Sequence, residues 1–187
     1  MRIGLFGGSF DPPHEGHALV SRVALTRLKL DRLWWIVSPG NPLKDASELP
    51  SIQWRIAAAK KILRDPRVAF TGFEAEIDAR YTCDTIDYLR AHCPGVRFVW
   101  IMGADNLLQF HRWRRWQDIA RTTPIAVIDR PGATLKAANA KAAVYFKSAR
   151  IPESEAGMLA VTPSPAMVYL HGPRLERSST ELRAGAR

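Results

Sequence analysis

Two histidines three residues apart, His14 and His17, belong to the segment GGSFDPPHEGH that follows a short apolar run. The segment opens with Gly7 and Gly8, and paired glycines let backbone N–H groups approach a ligand because no side chain stands between them. The helix expected next offers an anion its free N–H groups and the positive end of its dipole. Both imidazoles can point the same way from one helical turn and donate to phosphate oxygens, more strongly when protonated. The pattern predicts a phosphate site.

Other phosphate and metal motifs do not fit this segment. A Walker loop needs G-K-[ST] after its second glycine, and a dinucleotide fingerprint needs G-x-G-x-x-G. A zinc site built on His14 and His17 would require further ligands, and the sequence offers no obvious set. A purely structural interpretation, in which either histidine only caps or packs at the helix start, stays open.

The segment closely resembles the pattern G-x-F-D-P-x-H-x-G-H of the nucleotidyltransferases. Within that superfamily it is similar to the bacterial nicotinate-mononucleotide adenylyltransferases. The resemblance implies a Rossmann-like fold in which His14 and His17 bind the phosphates of ATP and act in catalysis. It also places Gly7, Gly8, Ser9 and Phe10 in the ATP site.

A second signature, SSTELR, begins at Ser178 and ends at Arg183. It resembles the I-S-S-T-x-I-R stretch of the same family, which implies that Ser178, Ser179, Thr180 and Arg183 hold the β- and γ-phosphates. Hydroxyl side chains can cap a helix whose N-terminus faces an anion, and an arginine adds a forked positive charge. Without the first motif, SSTELR would be an ordinary helix start.

Three further stretches resemble the acceptor side of the adenylyltransferases. A loop PGNPLK ends in Lys44, a candidate contact for a phosphate or carboxylate. The stretch YTCDT implies that Thr82 and nearby N–H groups receive the nicotinate carboxylate. The pattern G-x-D-x-L-x-x-F-x-x-W implies that Gly103 admits the nucleotide, Asp105 accepts from ribose hydroxyls and Trp113 stacks on the cationic pyridine ring. An exposed loop lysine, a plain helix cap and a core tryptophan are the structural alternatives.

Short apolar runs alternate with helical patterns along the whole chain, which predicts a doubly wound α/β fold with a parallel sheet. We expect one Rossmann-like domain over residues 1–187, with ligands bound where the strand order switches. A helix followed by an exposed loop is expected across residues 131–165. The predicted helices are His17–Leu30, Ser51–Leu63 and Thr82–His92, with Ser51 and Thr82 as capping residues. The predicted strands are Ile3–Gly7, Leu33–Ser38, Val68–Phe73, Phe98–Gly103, Ile125–Asp129 and Met167–His171.

Composition limits the partners. The formal net charge of +9 favours anionic ligands, although scattered surface arginines and lysines account for much of it. No apolar run is long enough to span a membrane, and no signal-peptide pattern follows Met1, so we expect a cytoplasmic protein with no membrane partner. The cluster RWRRW would suit nucleic acid, but no nucleic-acid-binding motif accompanies it, and we expect no nucleic-acid partner.

These patterns together predict an adenylyltransferase that joins ATP to nicotinate mononucleotide, with Mg²⁺ carried by the ATP and no metal ligands from protein side chains. The acceptor phosphate is already an anion, so direct in-line attack requires positioning and charge neutralisation more than a general base. A sister transferase acting on pantetheine phosphate or making a CDP-linked product is the main alternative. A non-enzymatic nucleic-acid-binding protein is a remote one. The sequence leaves the oligomeric state open, a homodimer included.

Overall fold

Six parallel strands form one sheet in the computed structural model, which describes residues 1–40, 49–128 and 139–172. The strand order is β3-β2-β1-β4-β5-β6, and every neighbouring pair is parallel. This is the doubly wound order of a Rossmann-like fold, so the predicted fold class and all six strands are confirmed. The strands are β1 (Arg2–Gly8), β2 (Arg32–Val37), β3 (Val68–Thr71), β4 (Arg97–Gly103), β5 (Ile125–Ile128) and β6 (Met167–Leu170).

Helices connect the strands within the described ranges. They are α1 (Glu15–Arg27), α2 (Ile52–Ile62), α3 (Phe73–Glu76), α4 (Thr82–His92), α5 (Ala104–Phe110), α6 (Trp116–Thr122) and α7 (Lys141–Tyr145). Ser51 caps α2 as predicted, because its hydroxyl accepts from the N–H of Trp54 at 3.2 Å. The prediction for Thr82 was wrong in detail: Tyr81 is the N-cap of α4 and Thr82 is its first helical residue. Phe73, expected at the end of β3, instead begins α3.

Side chains of each central strand alternate between two cores, one on each face of the sheet. In β4, Val99 and Ile101 join the core beneath α1 and α2, whereas Phe98, Trp100 and Met102 join the core beneath α4 and α5. Burial on both faces explains why these strands are nearly continuous apolar runs. Both cores hold the carboxyl ends of β1 and β4 rigidly at the centre of the sheet, where the strand order switches.

The loop expected before Pro165 is folded where the structure describes it. After α7, two 3-10 helices span Lys147–Ala149 and Glu153–Val161. Ala156, Leu159 and Ala160 of the second one are buried in the core beneath α1. The expectation of an exposed loop was therefore wrong for this part, since apolar residues three to four apart pack against the sheet. In the described ranges, no helix is long and apolar enough to cross a membrane.

Candidate active site

An open cleft, about 820 Å³ when the adjoining open solvent is included, lies at the carboxyl ends of the central strands, beside the switch between β1 and β4. The end of β1 and the first residues after β1 and β2 line the cleft, together with the start of α4 and the segment after α5. The cleft therefore occupies the position at which α/β sheets bind ligands. Its lining consists of Gly7, Gly8, Ser9, Ser38, Gly40, Glu74, Arg80, Tyr81, Thr82, Trp100, Asn106, Arg112, Trp113 and Arg114.

The glycine at position 7 is required by packing inside the protein. A Cβ there would lie 2.7 Å from Cη2 of Trp100, which fills the space a side chain would take. At Gly8 a Cβ would lie 3.4 Å from the ring of Phe10. The sequence pattern indicates close approach of a ligand to this pair, and the structure adds an internal reason: the indole of Trp100 packs directly against Gly7.

His14 and His17 close a reciprocal cap at the start of α1. The N–H of Gly16 donates to Nδ1 of His14 at 3.1 Å, and the N–H of His14 donates to Nδ1 of His17 at 3.2 Å. The two ring centroids are 3.8 Å apart, so the imidazoles are direct neighbours. An ordinary capping box uses a hydroxyl and a carboxylate for these bonds. In this helix, two imidazoles accept them instead.

This cap determines which ring nitrogen of each histidine carries hydrogen. A backbone N–H can only donate, so both Nδ1 atoms accept in this geometry and the ring hydrogen of each imidazole is assigned to Nε2. An imidazolium could not accept at Nδ1, so protonating either ring would break its bond in the cap. Stronger phosphate binding by protonated rings stays a prediction. What each ring can offer an anion in this geometry is its Nε2–H donor.

Aromatic side chains enclose the second histidine. The His17 ring lies 5.0 Å from that of Phe10 and 5.8 Å from that of Trp35, and only 8% of His17 is exposed. Trp35 also donates from Nε1 to the hydroxyl of Ser21 at 2.7 Å, and that hydroxyl donates to the carbonyl of His17 at 2.9 Å. The ring and backbone of His17 are thus fixed from two sides, as a positioned donor requires.

Phe10 does not present its side chain to the cleft. Its ring stacks on Trp35 at 4.5 Å and is 2% exposed. Its φ of 47° is a left-handed backbone angle that a side chain rarely adopts. The predicted role of Phe10 in ATP binding can therefore belong only to its main chain.

The residues predicted on the acceptor side reach the cleft from two elements. Thr82 lies at the N-terminus of α4, and the guanidinium carbon of Arg114 is 4.9 Å from the ring centre of the adjoining Tyr81. Trp113 packs edge-on against Trp100 at 6.2 Å, which leaves it half-buried and lining the cleft. The structure thus brings Thr82 and Trp113 together with Gly7, Gly8 and Ser9.

Gly103 and Asp105 take a different place. Gly103 is the last residue of β4 and the N-cap of α5, and it is buried. Asp105 is exposed in the first turn of α5, where its carboxylate interacts favourably with the positive end of the helix dipole. Neither belongs to the lining of the cleft, whereas the same helix brings Asn106 into it. Their ligand roles remain predictions.

Glu74 of α3 is an acidic residue in the cleft lining, and it is 7% exposed. The hydroxyl of Thr85 donates to its Oε1 at 2.6 Å. Burial raises the pKa of Glu74, and the bond from Thr85 only partly offsets that effect. The carboxyl is therefore held toward its neutral form beside the start of α4, where it repels an anionic ligand less than a free carboxylate would.

Replacing Glu74 with glutamine should raise the melting temperature at pH 8. Glutamine keeps an oxygen for the Thr85 hydroxyl and cannot be charged. Because the folded pKa of Glu74 is raised, its stabilising contribution is complete below the ordinary glutamate pKa of about 4.3 and is lost as pH rises through the folded pKa. We expect the melting temperature to rise by roughly 2–4 °C for each kcal/mol of unfolding free energy that the substitution recovers, and the rise should shrink toward acidic pH. Thermal melts from pH 5 to pH 8 measure it.

Glu76 provides the matched control for that experiment, since it lies on the same short helix and is exposed. Glu76→Gln should leave the melting temperature unchanged across the same pH range. An equal gain for both variants, or a Glu74→Gln gain that does not depend on pH, would contradict the assignment of a raised pKa to Glu74.

One residue beneath the cleft was missed by the sequence argument. Arg55 of α2 is 1% exposed and donates to three backbone carbonyl groups, two of which belong to the cleft lining residues Ser9 and Ser38. A signal was available, because Arg55 falls on the apolar face of α2 marked by Ile52 and Ala59. A charged residue on an apolar helix face indicates a buried charge that has hydrogen-bond partners.

Five predicted residues lie outside the described part of the chain. They are Lys44, Ser178, Ser179, Thr180 and Arg183. Their roles toward phosphate and carboxylate groups remain predictions from the motifs alone.

The sheet order, the cleft at the switch point and the histidine cap define a nucleotide-binding protein of the Rossmann-like α/β class. Comparison with known proteins narrows the class. A family model described as cytidylyltransferase-like matches residues 5–185. A relative from Methylorubrum extorquens, named "Probable nicotinate-nucleotide adenylyltransferase", is 58% identical over 98% of this chain and 99% of its own. One of the same name from Agrobacterium fabrum is 56% identical over 98% of each chain.

Solved structures agree on the fold. The nicotinic acid mononucleotide adenylyltransferase of Plasmodium falciparum complexed with APC superposes with a TM-score of 0.71, covering 98% of this chain and 82% of that one at 17% identity. The same enzyme complexed with NaAD gives the same score at 18% identity. The chain belongs to the cytidylyltransferase-like family of nucleotidyltransferases and, within it, to the nicotinate-nucleotide adenylyltransferases.

Proposed function

We propose that this protein transfers the AMP moiety of ATP to nicotinate mononucleotide, giving deamido-NAD and pyrophosphate. The observation that carries the proposal is the shared cleft. Gly7, Gly8 and Ser9, which open the histidine motif, line it together with Thr82 and Trp113, whereas His14 and His17 are buried and are not among its lining residues. A transferase must hold donor and acceptor side by side, and a site for one nucleotide alone would not need both sets of lining residues.

Direct attack suits the groups in this cleft. An oxygen of the acceptor phosphate forms a bond to the α-phosphorus of ATP as the bond to the β-phosphate oxygen breaks, and pyrophosphate leaves with the electron pair. The nucleophile is already ionised, so no side chain has to remove a proton. Catalysis then consists of alignment and of donors aimed at the charge that develops.

At the donor end, we assign the Nε2–H groups of His14 and His17 to the phosphates of ATP. With Nδ1 accepting in the helix cap, Nε2–H is the donor assigned to each ring. Backbone N–H groups of Gly8 and Ser9 would add to them. Ser178, Ser179, Thr180 and Arg183 would hold the β- and γ-phosphates, as the resemblance of their motif implies.

At the acceptor end, we assign the nicotinate carboxylate to the N-terminus of α4 at Thr82 and the pyridinium ring to the indole of Trp113. A helix of 11 residues presents free N–H groups and a positive dipole to the carboxylate. Three exposed arginines also line the cleft and favour an anionic mononucleotide, namely Arg80, Arg112 and Arg114. Lys44 and Asp105 are further candidates for the phosphate and the ribose.

Magnesium enters this proposal as part of the ATP complex. Among the residues that the structure describes, no group of three or more histidine, cysteine, aspartate or glutamate side chains could hold a metal ion. Mg²⁺ commonly binds through substrate phosphates and a few protein oxygens, which fits such a cleft. When bound, it would neutralise phosphate charge; the protein's own part is to position the donor and the acceptor.

The remaining proposals concern the setting of the reaction. We propose one domain over residues 1–187, working in the cytoplasm where both substrates would be met, without a nucleic-acid or membrane partner. A homodimer is the assembly to test first, by sedimentation of the purified protein.

Pyrophosphate release from a panel of substrates tests the proposed function. ATP with nicotinate mononucleotide should react fastest, and the amidated mononucleotide should be at least about tenfold slower, since one hydrogen bond to a charged group contributes roughly 1.5–3 kcal/mol. Pantetheine phosphate with ATP, and CTP in place of ATP, should give no release above background. Faster reaction with either would assign the protein to a sister transferase.

A further inference from the structure

Arg55 is a buried cation, and within the described part of the chain its guanidinium donates to three backbone carbonyls. Its Nη1 donates to the carbonyl of Ser9 at 2.7 Å and to that of Ser38 at 2.9 Å, while Nε donates to the carbonyl of Pro50 at 2.9 Å. Burial lowers the pKa of the guanidinium, and the nearby charge of Asp11 opposes that shift. Arginine stays charged in proteins, so a full charge lies beneath the cleft.

The two carbonyls in contact with Nη1 mark the end of the ladder between β1 and β2. Gly8 and Val37 are the last paired residues, and the N–H of Ser38 donates to the carbonyl of Gly8 at 3.0 Å. Ser9 and Ser38 are the first residues beyond that pair. Arg55 therefore continues the connection between the two strands past the point where their own hydrogen bonds stop.

The same contacts orient the wall of the cleft. Because a peptide group is planar and trans, a Ser9 carbonyl that points to Arg55 leaves the N–H of Phe10 pointing the opposite way. The Ser9 and Ser38 carbonyl oxygens, which would repel a phosphate, are thereby held on the guanidinium. Phe10 also adopts a left-handed φ of 47°, an angle that persists only where the surroundings impose it.

We propose that Arg55 is a positioning residue for the nucleotide half of the cleft. It acts through the Ser9 and Ser38 carbonyls, both in residues that line the cleft, and keeps the exit of β1 in the form that receives phosphate. This inference rests on the proposed adenylyl transfer. An apolar side chain of similar length could fill the space without burying a charge. The buried charge of Arg55 therefore indicates that its hydrogen bonds to the carbonyls are what the site requires.

Steady-state kinetics of Arg55→Met and Arg55→Lys test the proposal against wild type. Arg55→Met should lower kcat/KM for ATP by roughly tenfold to a hundredfold, as small displacements of positioning groups do, while KM for nicotinate mononucleotide stays within about twofold. Arg55→Lys should recover part of the loss, since an ammonium can still donate to these carbonyls but lacks the fixed fork of the guanidinium.

Arg32→Met is the matched control. Arg32 also donates from Nη1 to a backbone carbonyl, that of Pro66 at 2.8 Å, but this contact is exposed and involves no residue of the cleft lining. Its kinetic constants should match wild type. If Arg55→Met does not fold, Arg55→Lys carries the test, with a raised KM for ATP and an unchanged KM for the mononucleotide expected.

Unchanged constants per active site in both Arg55 variants, with only the melting temperature lowered, would show a purely structural role and overturn the proposal. An equal rise in KM for both substrates would overturn it as well. Calorimetric ATP binding separates this inference from the proposed function. If wild type binds ATP but makes no deamido-NAD, the proposed function alone is wrong. If Arg55→Lys and Arg55→Met bind ATP as tightly as wild type does, the proposed role of Arg55 is wrong.

Discussion

Replacing His17 with asparagine should lower kcat by roughly a hundredfold while the start of α1 stays folded. The Oδ1 of asparagine occupies the branch position of Nδ1, so it can still accept from the N–H of His14, as His17 does at 3.2 Å. Nothing in asparagine replaces the Nε2–H that we assign to phosphate. Loss of one positioned donor to developing charge costs roughly 3 kcal/mol, which is about a hundredfold in rate. Stopped-assay kinetics with saturating substrates measure it.

Glutamine at position 17 supplies the complementary variant. Its amide nitrogen reaches farther from the backbone, near the position of Nε2, so it restores a donor while disturbing the cap. His17→Gln should therefore be faster than His17→Asn although it is no more stable. Loss of aromatic contacts with Phe10 and Trp35 should cost both variants about 1–3 kcal/mol of stability. Near-normal turnover of His17→Asn would exclude the assigned role.

Replacing Trp113 with alanine should raise KM for nicotinate mononucleotide by roughly tenfold to a hundredfold, with KM for ATP changed by less than about threefold. Stacking of a ring on an aromatic side chain is worth roughly 1–3 kcal/mol by alanine substitution. A cationic pyridinium adds attraction to the indole face. Trp113 lines the cleft and is braced edge-on by Phe110 at 5.3 Å. Initial rates with each substrate varied in turn give both constants.

Trp116→Ala is the control for that measurement. Trp116 packs against Phe146 at 5.8 Å and against Tyr145 at 5.2 Å, and it is not part of the cleft lining. Its loss should lower the melting temperature without a selective effect on KM for the mononucleotide. Trp113→Phe should keep most of the affinity. If Trp113→Ala and Trp116→Ala changed both KM values alike, Trp113 would be a packing residue only.

The fold could be predicted from the sequence because its strands are buried on both faces of the sheet. Runs such as residues 98–103 can satisfy both cores only as parallel strands covered by helices, and the alternation with helical patterns left few other arrangements. Helix ends were less predictable. Thr82 is a good capping residue, yet the chain is still extended at Tyr81, which takes the cap position and leaves Thr82 as the first residue of the helix.

The site was predicted where it depends on local spacing and missed where it depends on distant contacts. His14 and His17 are neighbours because they lie one helical turn apart, so their spacing in the sequence was enough to predict the pair. The indole of Trp100 beneath Gly7, and the carbonyls of Ser9 and Ser38 that meet Arg55, join residues far apart in the chain. No local pattern specifies such contacts, because they exist only once the sheet is assembled.

The product of a reaction between ATP and nicotinate mononucleotide tests the central claim most directly. Purified protein should convert the pair to deamido-NAD, identified by its mass, with one pyrophosphate released for each dinucleotide formed and no release when the mononucleotide is left out. Absence of the dinucleotide, or pyrophosphate release that does not depend on the mononucleotide, would contradict the assignment of this cleft to adenylyl transfer.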